Sequence, residues 1–522
     1  MVAKKHSVRA TLRKYGEDTS AHGIPRAVTT KSWFRRLFWT CLFLASFSYF
    51  LYQAQALVNK YILYPVNTDV KILWSELQFP AVTICNANPL RFSQLVKFGD
   101  ADFQNAGFIP QPASNGSNSQ TVTTQAPTTT AQSSSDDDDY DYEAHHGDFE
   151  TLNSFMGLLV QLNESMRYSL GHQARDLIQE CQFDGRPCSH RNFTKFLDSA
   201  YGNCFTFNKE QGTPPETTTS AGPVHGLSLI LYIEQEDYIP TITEKAGVRV
   251  VIHSNDVFPF PESEGFDAPP GFLTSAGLRL TSINRLGGLY GDCTLGAGHD
   301  LLYPGGYTQQ NCIATCHQDH MVSICGCADV TYRRRPETTF CNSSTSVVKC
   351  EEGVKQRIAS GNLSCQCPAS CSDRVFRKSI GLGEWPADSY LNTVLSKLKT
   401  RTRGPGTGIL DDSDRFRRNL LKVNIYYEAL NFELITETPG YEVENLLGDI
   451  GGQLGLWVGM SCLSAMEILE VLADIAIILW RKMSSKERPM SSRADNVVGV
   501  AGTNSSDTYN GHTVAIPMAE KI

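Results

Sequence analysis

The sequence predicts a membrane protein in which two transmembrane α-helices bracket a large, disulfide-rich α+β ectodomain. Two long apolar stretches lie near the ends of the 522-residue chain, and basic residues gather on the outer flank of each. Cys41 and Cys462 fall in these stretches, which leaves 14 of the 16 cysteines in the segment between them. The net charge of −9 argues against a nucleic acid partner.

The first predicted span covers residues 37–58, about the length that crosses a bilayer. No small-residue cleavage site follows it, so we favour a membrane anchor over a removable signal peptide. Its cytoplasmic flank is basic and its outer flank carries interfacial aromatics: Lys31, Arg35 and Arg36 precede it, and Lys60, Tyr61 and Tyr64 follow it.

The second predicted span covers residues 441–481, with its apolar part at 446–480. Basic residues follow it at once: Arg481, Lys482, Lys486 and Arg488. By the positive-inside rule, residues 1–36 and the tail 482–522 are cytoplasmic, and residues 59–440 are extracellular. We therefore expect a multi-pass protein of the plasma membrane with both termini in the cytoplasm, in contact with lipid.

Three acidic residues interrupt the second span. Glu467, Glu470 and Asp474 lie at i, i+3 and i+7, so a helix places them on one face. Each charge at mid-bilayer costs roughly 2.5–3.5 kcal/mol on insertion scales, so the stripe must face water, a partner or a cation path. The sequence therefore predicts a cation channel, in which Asp474 is the least certain member because it lies near the inner headgroups.

Glycines precede the acidic stripe at a spacing that lets helices pack closely. They form two interleaved series, Gly448 and Gly452, and Gly451, Gly455 and Gly459. Close packing alone explains about half of them. A glycine also permits a helix break, which would turn the carbonyls of residues 459–461 toward a cation. Because two helices cannot enclose a pore, several copies of the chain must surround the axis.

The segment between the spans has the chemistry of an extracellular domain. Its even number of cysteines suits seven disulfides in an oxidising compartment. Zinc competes for the pairs Cys312/Cys316 and Cys325/Cys327, but their spacings match zinc knuckles poorly, so we expect no metal site. Glycosylation sequons support this location, at Asn115, Asn163, Asn192, Asn342 and Asn362.

The ectodomain pattern is uneven. Residues 111–150 form a low-complexity, acidic insert that cannot bury a core. Helical periodicity marks 149–162 and 175–181, and alternation marks strands at 227–234, 247–253 and 421–436. Residues 312–371 are dense in cysteine and predict a disulfide-stapled stalk.

Several motifs, in this order, resemble the degenerin / epithelial sodium channel / acid-sensing ion channel family over nearly the whole chain. They are the His22-Gly23 pair, residues 79–86, 251–254 and 270–272, the cysteine-rich block, residues 441–453, and the Gly459-Met460-Ser461 triplet. The resemblance implies a trimer of this chain or of related subunits that conducts Na⁺, is commonly blocked by amiloride and needs no cofactor.

The resemblance also assigns roles to residues. Gly459, Met460 and Ser461 match the selectivity constriction, and His22-Gly23 matches a cytoplasmic re-entrant gating motif. Gly448 matches a position where larger side chains hold such channels open. The remaining pore or gate positions are Asp449 at the outer mouth, Gly452, Leu456, Glu467 and Glu470.

In the ectodomain, the resemblance implies an aromatic contact of Tyr64 with Tyr290 that couples it to the membrane helices. Tyr290 departs from the tryptophan common in acid-sensing members. Cysteine spacing alone leaves the connectivity open. The family pattern implies the pairs Cys85–Cys204, Cys181–Cys188, Cys293–Cys371, Cys312–Cys367, Cys316–Cys365, Cys325–Cys350 and Cys327–Cys341.

Three gating signals compete: a peptide, protons, or constitutive opening after proteolysis. Pro65 and Val66 replace histidines of acid-sensing channels, His253 is more typical of a strand interior, and residues 90–180 lack a paired-arginine site. We favour an FMRFamide-like neuropeptide, because residues 231–235 are similar in character to invertebrate peptide-gated channels. An Arg-Phe-amide ligand needs a carboxylate and an apolar slot, for which the chain offers Glu234, Glu236, Asp237, Phe183, Phe193 and Phe196.

Other classes fit less well. A two-pass receptor or adhesion protein would leave the membrane acids without basic partners in the first span. An ATP-gated trimer would need lysine clusters in what is an acidic loop. No nucleophile–histidine–acid motif, phosphate loop or metal cluster rises above chance, so we expect no enzyme.

Overall fold

The structure is a computed structural model that describes residues 8–111, 142–210, 212, 214–342, 344–399, 413–460 and 462–484. The chain forms two compact units. The terminal unit combines residues 1–59 and 443–522, and the central unit comprises residues 60–442.

The helices and strands follow one another in mixed order. The α-helices are α1 (Val8–Asp18), α2 (Ile24–Thr29), α3 (Trp33–Ile62), α4 (Phe92–Phe98), α5 (Ala101–Asn105), α6 (Tyr142–Leu159), α7 (Glu164–Leu170), α8 (Ala174–Leu177), α9 (Gln309–Cys325), α10 (Thr345–Ala359), α11 (Asp388–Lys399), α12 (Ser413–Asn419), α13 (Val443–Val458) and α14 (Cys462–Ser484). The strands are β1 (Val66–Trp74), β2 (Leu77–Gln78), β3 (Ala81–Asn86), β4 (Ile178–Phe183), β5 (Arg186–Cys188), β6 (Phe193–Asp198), β7 (Gly202–Phe207), β8 (Thr217–Thr218), β9 (Leu227–Tyr232), β10 (Val248–His253), β11 (Phe266–Ala268), β12 (Phe272–Asn284), β13 (Cys293–Thr294), β14 (Ala369–Ser370), β15 (Ser372–Glu384), β16 (Leu420–Tyr427) and β17 (Asn431–Pro439).

The terminal unit contains the apolar stretches. Helix α3 is 30 residues long and contains the whole predicted span 37–58. Within the described ranges it is the one helix long and apolar enough to cross a bilayer by those criteria. The second predicted span, 441–481, contains two helices: α13 ends at Val458 and α14 begins at Cys462.

An eight-stranded sheet organises the central unit. Its order is β1-β17-β12-β16-β9-β4-β5, and β15 also pairs with β12. A five-stranded sheet, β11-β10-β3-β7-β6, lies against it. Apolar side chains of β3, β7, β9, β10 and β16 from both sheets meet in one buried core. Burial of these apolar side chains is the main contribution that stabilises a layered domain of this kind.

The long strand β12 corrects one sequence prediction. The segment 421–436 is two strands, β16 and β17, which pair with β12 in succession and both in parallel. Leu278 of β12 is opposite Tyr427, and Thr281 is opposite Glu433. The chain therefore advances by six residues from β16 to β17 while β12 advances by three. Residues 428–430 belong to neither strand and interrupt the pairing with β12.

Two other sequence predictions need adjustment. The helix predicted at 175–181 ends at Leu177, and the chain continues as β4, whose residues pair with β9. The insert predicted at 111–150 ends earlier, since α6 begins at Tyr142. Residues 112–141 lie outside the described part of the chain. The strands predicted at 227–234 and 247–253 are β9 and β10.

The central unit contains seven disulfides, and they join the same cysteines as the family pattern. Cys85–Cys204 links directly opposed residues of β3 and β7. Four of the seven involve α9, α10 or the loop between them, where apolar packing between Met321 and Val354 supplements the covalent links. Such cross-links restrict the unfolded chain, which stabilises a region with a small core.

Four of the five predicted glycosylation asparagines lie in the described chain, and all four are exposed: Asn163, Asn192, Asn342 and Asn362. Asn163 caps α7 by accepting a 2.7 Å hydrogen bond from the Met166 N–H. Asn115 lies outside the described residues.

Gly226 provides a test of the close approach of β9 to β16. A Cβ there would lie 2.1 Å from the Ile425 carbonyl oxygen and 2.6 Å from the Tyr426 Cβ. We expect Gly226→Ala to destabilise the protein by roughly 1–3 kcal/mol through overpacking. Gly353→Ala is the matched control, because a Cβ in the middle of α10 meets no described atom within 4 Å and alanine favours helix. Melting of the detergent-solubilised chain measures both, and equal melting temperatures would contradict the prediction.

Candidate functional site

The backbone breaks between α13 and α14 at the predicted constriction. Helix α13 ends at Val458, and Gly459 adopts φ +68°, in the left-handed region that glycine tolerates. The Gly459 N–H still donates to the Gly455 carbonyl at 3.1 Å. Met460 is half-buried, whereas Ser461 lies outside the described residues. The break frees the last carbonyls of α13, which need partners other than their own helix.

The His22-Gly23 motif lies against this break. The His22 backbone N–H donates to the Val458 carbonyl at 3.0 Å, which satisfies one of the freed oxygens. A Cβ on Gly459 would lie 2.1 Å from the His22 Nδ1, so the two residues are in close contact. Gly23 has φ +90°, and its Cα faces α3 at Phe43. The structure therefore brings together two motifs that are more than 430 residues apart in sequence.

The loop before His22 also reaches the first residue of the acidic stripe. The Thr19 hydroxyl and the Ser20 backbone N–H each lie 3.5 Å from Glu467 Oε2, at the limit of hydrogen bonding. Thr19 is buried, whereas Glu470 and Asp474 are exposed. The three acids thus differ in environment: Glu467 is next to the N-terminal loop, and the other two are on open surface of the described protomer.

Three of the five glycines lie on a face of α13 that the described residues leave uncovered. A Cβ added at Gly448, Gly451 or Gly452 would meet no described atom within 4 Å. Leu456 and Asp449 are also exposed. This face of α13 therefore has room for another helix, as small-residue faces in membranes commonly do.

Aromatic side chains join α3 to the end of α13, a contact that sequence patterning did not indicate. The rings of Tyr49 and Trp457 lie edge to face with centroids 4.5 Å apart. Trp457 Nε1 donates to Gln453 Oε1 at 2.9 Å, and Gln53 donates to the Tyr49 hydroxyl at 2.8 Å. An edge-to-face aromatic pair contributes about 0.5–1.5 kcal/mol beyond the energy gained from its buried area. This contact therefore fixes α13 just before the break.

A second aromatic contact lies in the central unit. Tyr64 and Tyr290 meet edge to face with centroids 5.3 Å apart, as the resemblance implies. Tyr64 has φ +45°, a strained conformation for a bulky residue. Nearby, Lys60 lies 4.4 Å above the ring of Tyr441, and the Gly440 N–H donates to the Pro65 carbonyl. The chain segments that follow α3 and precede α13 are therefore clamped together.

The proposed ligand acids each have a partner within the protein. Glu234 accepts a 2.9 Å hydrogen bond from His172 Nδ1, and Asp237 accepts a 2.7 Å bond from the Ser93 hydroxyl. Glu236 accepts from Arg415 at 2.7 Å and from Asn419 at 2.9 Å. Burial opposes ionisation of Glu236, but these hydrogen bonds lower its pKa overall.

The proposed ligand aromatics lie elsewhere. Phe183 is buried in the main core, with its ring 4.9 Å from Phe79 and 5.3 Å from Phe207. Phe193 packs on Phe207, and Phe196 packs on Phe258. The described contacts do not join these rings to the acids, so the six residues do not line one pocket.

Comparison with known proteins identifies the family of this chain. The model of the family described as amiloride-sensitive sodium channel matches residues 15–471. The chain belongs to this family. It is 27% identical to the epithelial sodium channel subunit alpha of Neoceratodus forsteri over 96% of this chain and 86% of that protein. It is 28% identical to the gamma subunit of Pelodiscus sinensis over 91% and 82% of the two chains.

A third relative, the epithelial sodium channel subunit alpha of Xenopus laevis, is 29% identical over 90% of this chain and 82% of that protein. Channels of this family are plasma membrane proteins. The matches run through both units, so they include the N-terminal loop, the disulfide-rich region and the helix break.

A buried histidine in this family member is structural, as its strand position predicts. His253 Nδ1 donates to the Ser254 carbonyl, and Nε2 accepts from the Thr83 hydroxyl, each at 2.9 Å. Burial lowers the pKa of His253 to about 4. The His253 ring is therefore neutral at neutral pH.

His253 predicts a pH dependence of stability. In the unfolded chain a histidine titrates near about 6.5, so below that pH the unfolded state binds a proton that the folded state excludes. The free energy of unfolding falls as the pH drops from about 6.5 towards 4. We expect His253→Gln to flatten this acid loss and the exposed His299→Gln to leave it unchanged. Thermal melting across that pH range measures the effect, and identical slopes in all three proteins would overturn it.

The His22–Gly459 contact predicts a coupled pair. Gly459→Ala places a Cβ against the His22 ring and demands a left-handed alanine, so we expect loss of most sodium current at unchanged surface expression. His22→Gly removes the clashing ring, so Gly459→Ala should cost less in that background. Current per surface-labelled chain, measured in the four proteins of this cycle, tests the coupling. Strictly additive effects would contradict the contact.

Proposed function

We propose that this chain forms the pore of a sodium-selective, amiloride-sensitive channel that an extracellular peptide opens. The observation that carries the proposal is the helix break at Gly459 with the His22-Gly23 loop hydrogen-bonded to it. A broken helix exposes backbone carbonyls, and carbonyls and hydroxyls are the groups that replace part of a cation's water shell.

The pore requires more than one copy of the chain. Two membrane helices leave no enclosed path, so we propose a trimer of this chain or of related subunits, with both termini in the cytoplasm. The open glycine face of α13 supports close packing of copies. Around the shared axis, Gly459, Met460 and Ser461 form the constriction, and Glu467 and Glu470 hold cations below it.

In this proposal, a movement in the central unit reaches α3 and α13 through the chain segments that connect them. Strand β1 follows α3 directly, and β17 precedes α13, and the two strands pair over nine residues. Because Tyr64 and Tyr290 clamp the start of β1, a movement of the disulfide-stapled region would act on both chain segments together. The strained φ of Tyr64 supports a role as a hinge, since strain is retained where the surrounding structure enforces it.

A peptide agonist is compatible with Glu236. Its carboxylate is already bound by a guanidinium, that of Arg415, at a partly exposed position. An arginine in the ligand would replace the Arg415 guanidinium with another guanidinium that can bind a carboxylate through two hydrogen bonds. The Glu236 carboxylate would therefore lose no further water on binding the ligand. The neutral state of His253 argues against that residue as a proton sensor.

The test is voltage clamp of cells that express this chain alone, perfused with FMRFamide in sodium medium at neutral pH. We expect an inward, amiloride-blocked current that reverses at positive potential and disappears with Ser461→Phe. Glu236→Gln should weaken the response to peptide, whereas the control Glu352→Gln on α10 should not. A current evoked by acid but not by peptide would replace the peptide with protons as the agonist.

Gly448 distinguishes a failed agonist from a failed channel. A Cβ at Gly448 meets no described atom, so a larger residue fits within the protomer. We expect Gly448→Phe to give a standing amiloride-blocked sodium current without any agonist, and Leu447→Phe at the neighbouring exposed position to give none. Absence of current from a surface-expressed Gly448→Phe chain would favour the two-pass receptor or adhesion protein instead.

A further inference from the structure

Six cationic side chains of the central unit form a set without acidic partners. They lie on α7, in the turn before β6, on β6, in the chain after β7 and in the loop between α9 and α10, and we call them the basic strip: Arg167, Arg191, Lys195, Lys209, Arg333 and Arg334. Four are exposed, whereas Arg167 and Lys209 are half-buried. Within the described residues none of the six forms an ion pair. In a chain with a net charge of −9, this local excess of positive charge needs an explanation.

A series of contacts connects Lys209 to Arg333. The Lys209 ammonium lies 6.0 Å from the centroid of the Phe258 ring, and that ring lies 4.8 Å from the ring of Tyr303. The Tyr303 hydroxyl accepts a 3.0 Å hydrogen bond from the Arg333 backbone N–H. Burial and the nearby Arg333 guanidinium both lower the pKa of Lys209. The two positive charges are therefore close enough to repel each other.

The other end of the strip lies at α7. Burial lowers the pKa of Arg167, and the Arg334 guanidinium acts in the same direction, while Glu164 opposes them. The Arg167 Nε is buried and has no hydrogen-bond partner in the described chain. On the neighbouring residue, the ring of Tyr168 lies 3.7 Å from the Lys195 ammonium of β6. The charge at this end is therefore only partly compensated.

A cavity of about 380 Å³ lies beside Lys209. Two cations and one acid line it, so its lining retains a positive charge, and aromatic and proline side chains supply an apolar wall. The lining residues that define this character are Arg191, Phe193, Phe207, Lys209, Pro214 and Glu216. The cavity thus combines a positive charge with an apolar surface at one end of the strip.

Other acids near the strip are already bound. Arg335, the third of three consecutive arginines, pairs with Asp300 at 2.6 Å and with Asp319 at 3.5 Å. Asp329 pairs with Lys355 at 3.0 Å. These carboxylates therefore neutralise cations outside the strip, and Arg333 and Arg334 remain without a counter-charge of their own in the described chain.

We propose that the basic strip binds a sulfated glycan, a linear polyanion whose sulfate groups take the place of the absent carboxylates. A guanidinium can hold two oxygens of one anionic group through parallel hydrogen bonds. The cations come from separate segments of the surface, so one ligand that meets all of them must carry several charges along its length, and clustered arginine and lysine are typical of heparin-binding surfaces. In the topology proposed above this surface is extracellular, where sulfated glycans occur. A cationic peptide would be repelled here, so the site is separate from the one proposed for the agonist.

The experiment measures binding of the purified full chain, as the monodisperse fraction in detergent, to immobilised heparin by surface plasmon resonance at about 150 mM NaCl. We expect binding that weakens as NaCl is added and is lost on chemically desulfated heparin. Arg191→Gln combined with Arg333→Gln should reduce the affinity about tenfold or more, since a hydrogen bond to a charged group accounts for roughly that factor. Within the described chain both residues hydrogen-bond through backbone atoms, so the double variant keeps those bonds.

Lys349→Gln combined with Arg357→Gln is the matched control. Both residues are exposed on α10, and the change removes the same charge away from the strip. This pair should bind heparin as the unsubstituted chain does. Equal affinity of the strip variant and the unsubstituted chain, an equal loss in the control pair, or undiminished binding to desulfated heparin would overturn the proposal. Displacement of heparin by inorganic sulfate at the same sulfate concentration would also overturn it, because the ligand would then be a free ion.

Discussion

The hydrogen bond from the His22 N–H to the Val458 carbonyl holds the N-terminal loop against the interruption between α13 and α14. A helix that breaks within a membrane leaves carbonyls without partners, and each costs several kcal/mol in hydrocarbon. In the proposed membrane topology, the break at Gly459 therefore requires other polar groups that reach its carbonyls. The N-terminal loop supplies one such group, and the same loop brings Thr19 to Glu467 on the other side of the break. One loop thus supports both ends of the interrupted segment.

The central unit holds β16 and β17 in a fixed register. Strand β12 pairs in parallel with both β16 and β17, so a single long strand sets the register of the whole chain leading to α13. The disulfides do not reinforce this sheet directly except at the β4–β5 hairpin. They concentrate instead around α9 and α10, where the apolar core is small. Disulfides therefore stabilise the region of α9 and α10, and hydrophobic burial stabilises the sheets of the central unit.

The sequence was sufficient where one physical signal dominates. Apolar length located α3, and alternation located β9 and β10, because half-buried strands repeat every two residues. Alternation failed at 421–436, since it gives no sign that the strand is interrupted after Tyr427 and that pairing with β12 resumes at Glu433. Glycine spacing indicated that a break was possible at 459, but no local pattern could show that His22 would meet it. The edge-to-face pair of Tyr49 and Trp457 was missed for the same reason, because it joins distant segments.

The acidic stripe is the clearest case of a pattern whose meaning depends on tertiary structure. Helical spacing places Glu467, Glu470 and Asp474 on one face, with Asp474 expected nearest the inner headgroups. The structure divides them, since Glu467 lies beside a buried threonine and a backbone N–H while the other two are exposed. A carboxylate that accepts hydrogen bonds from its own chain binds a cation with fewer free oxygens than one that does not. We therefore expect Glu470 to offer more free oxygens to a cation than Glu467, which the N-terminal loop also contacts.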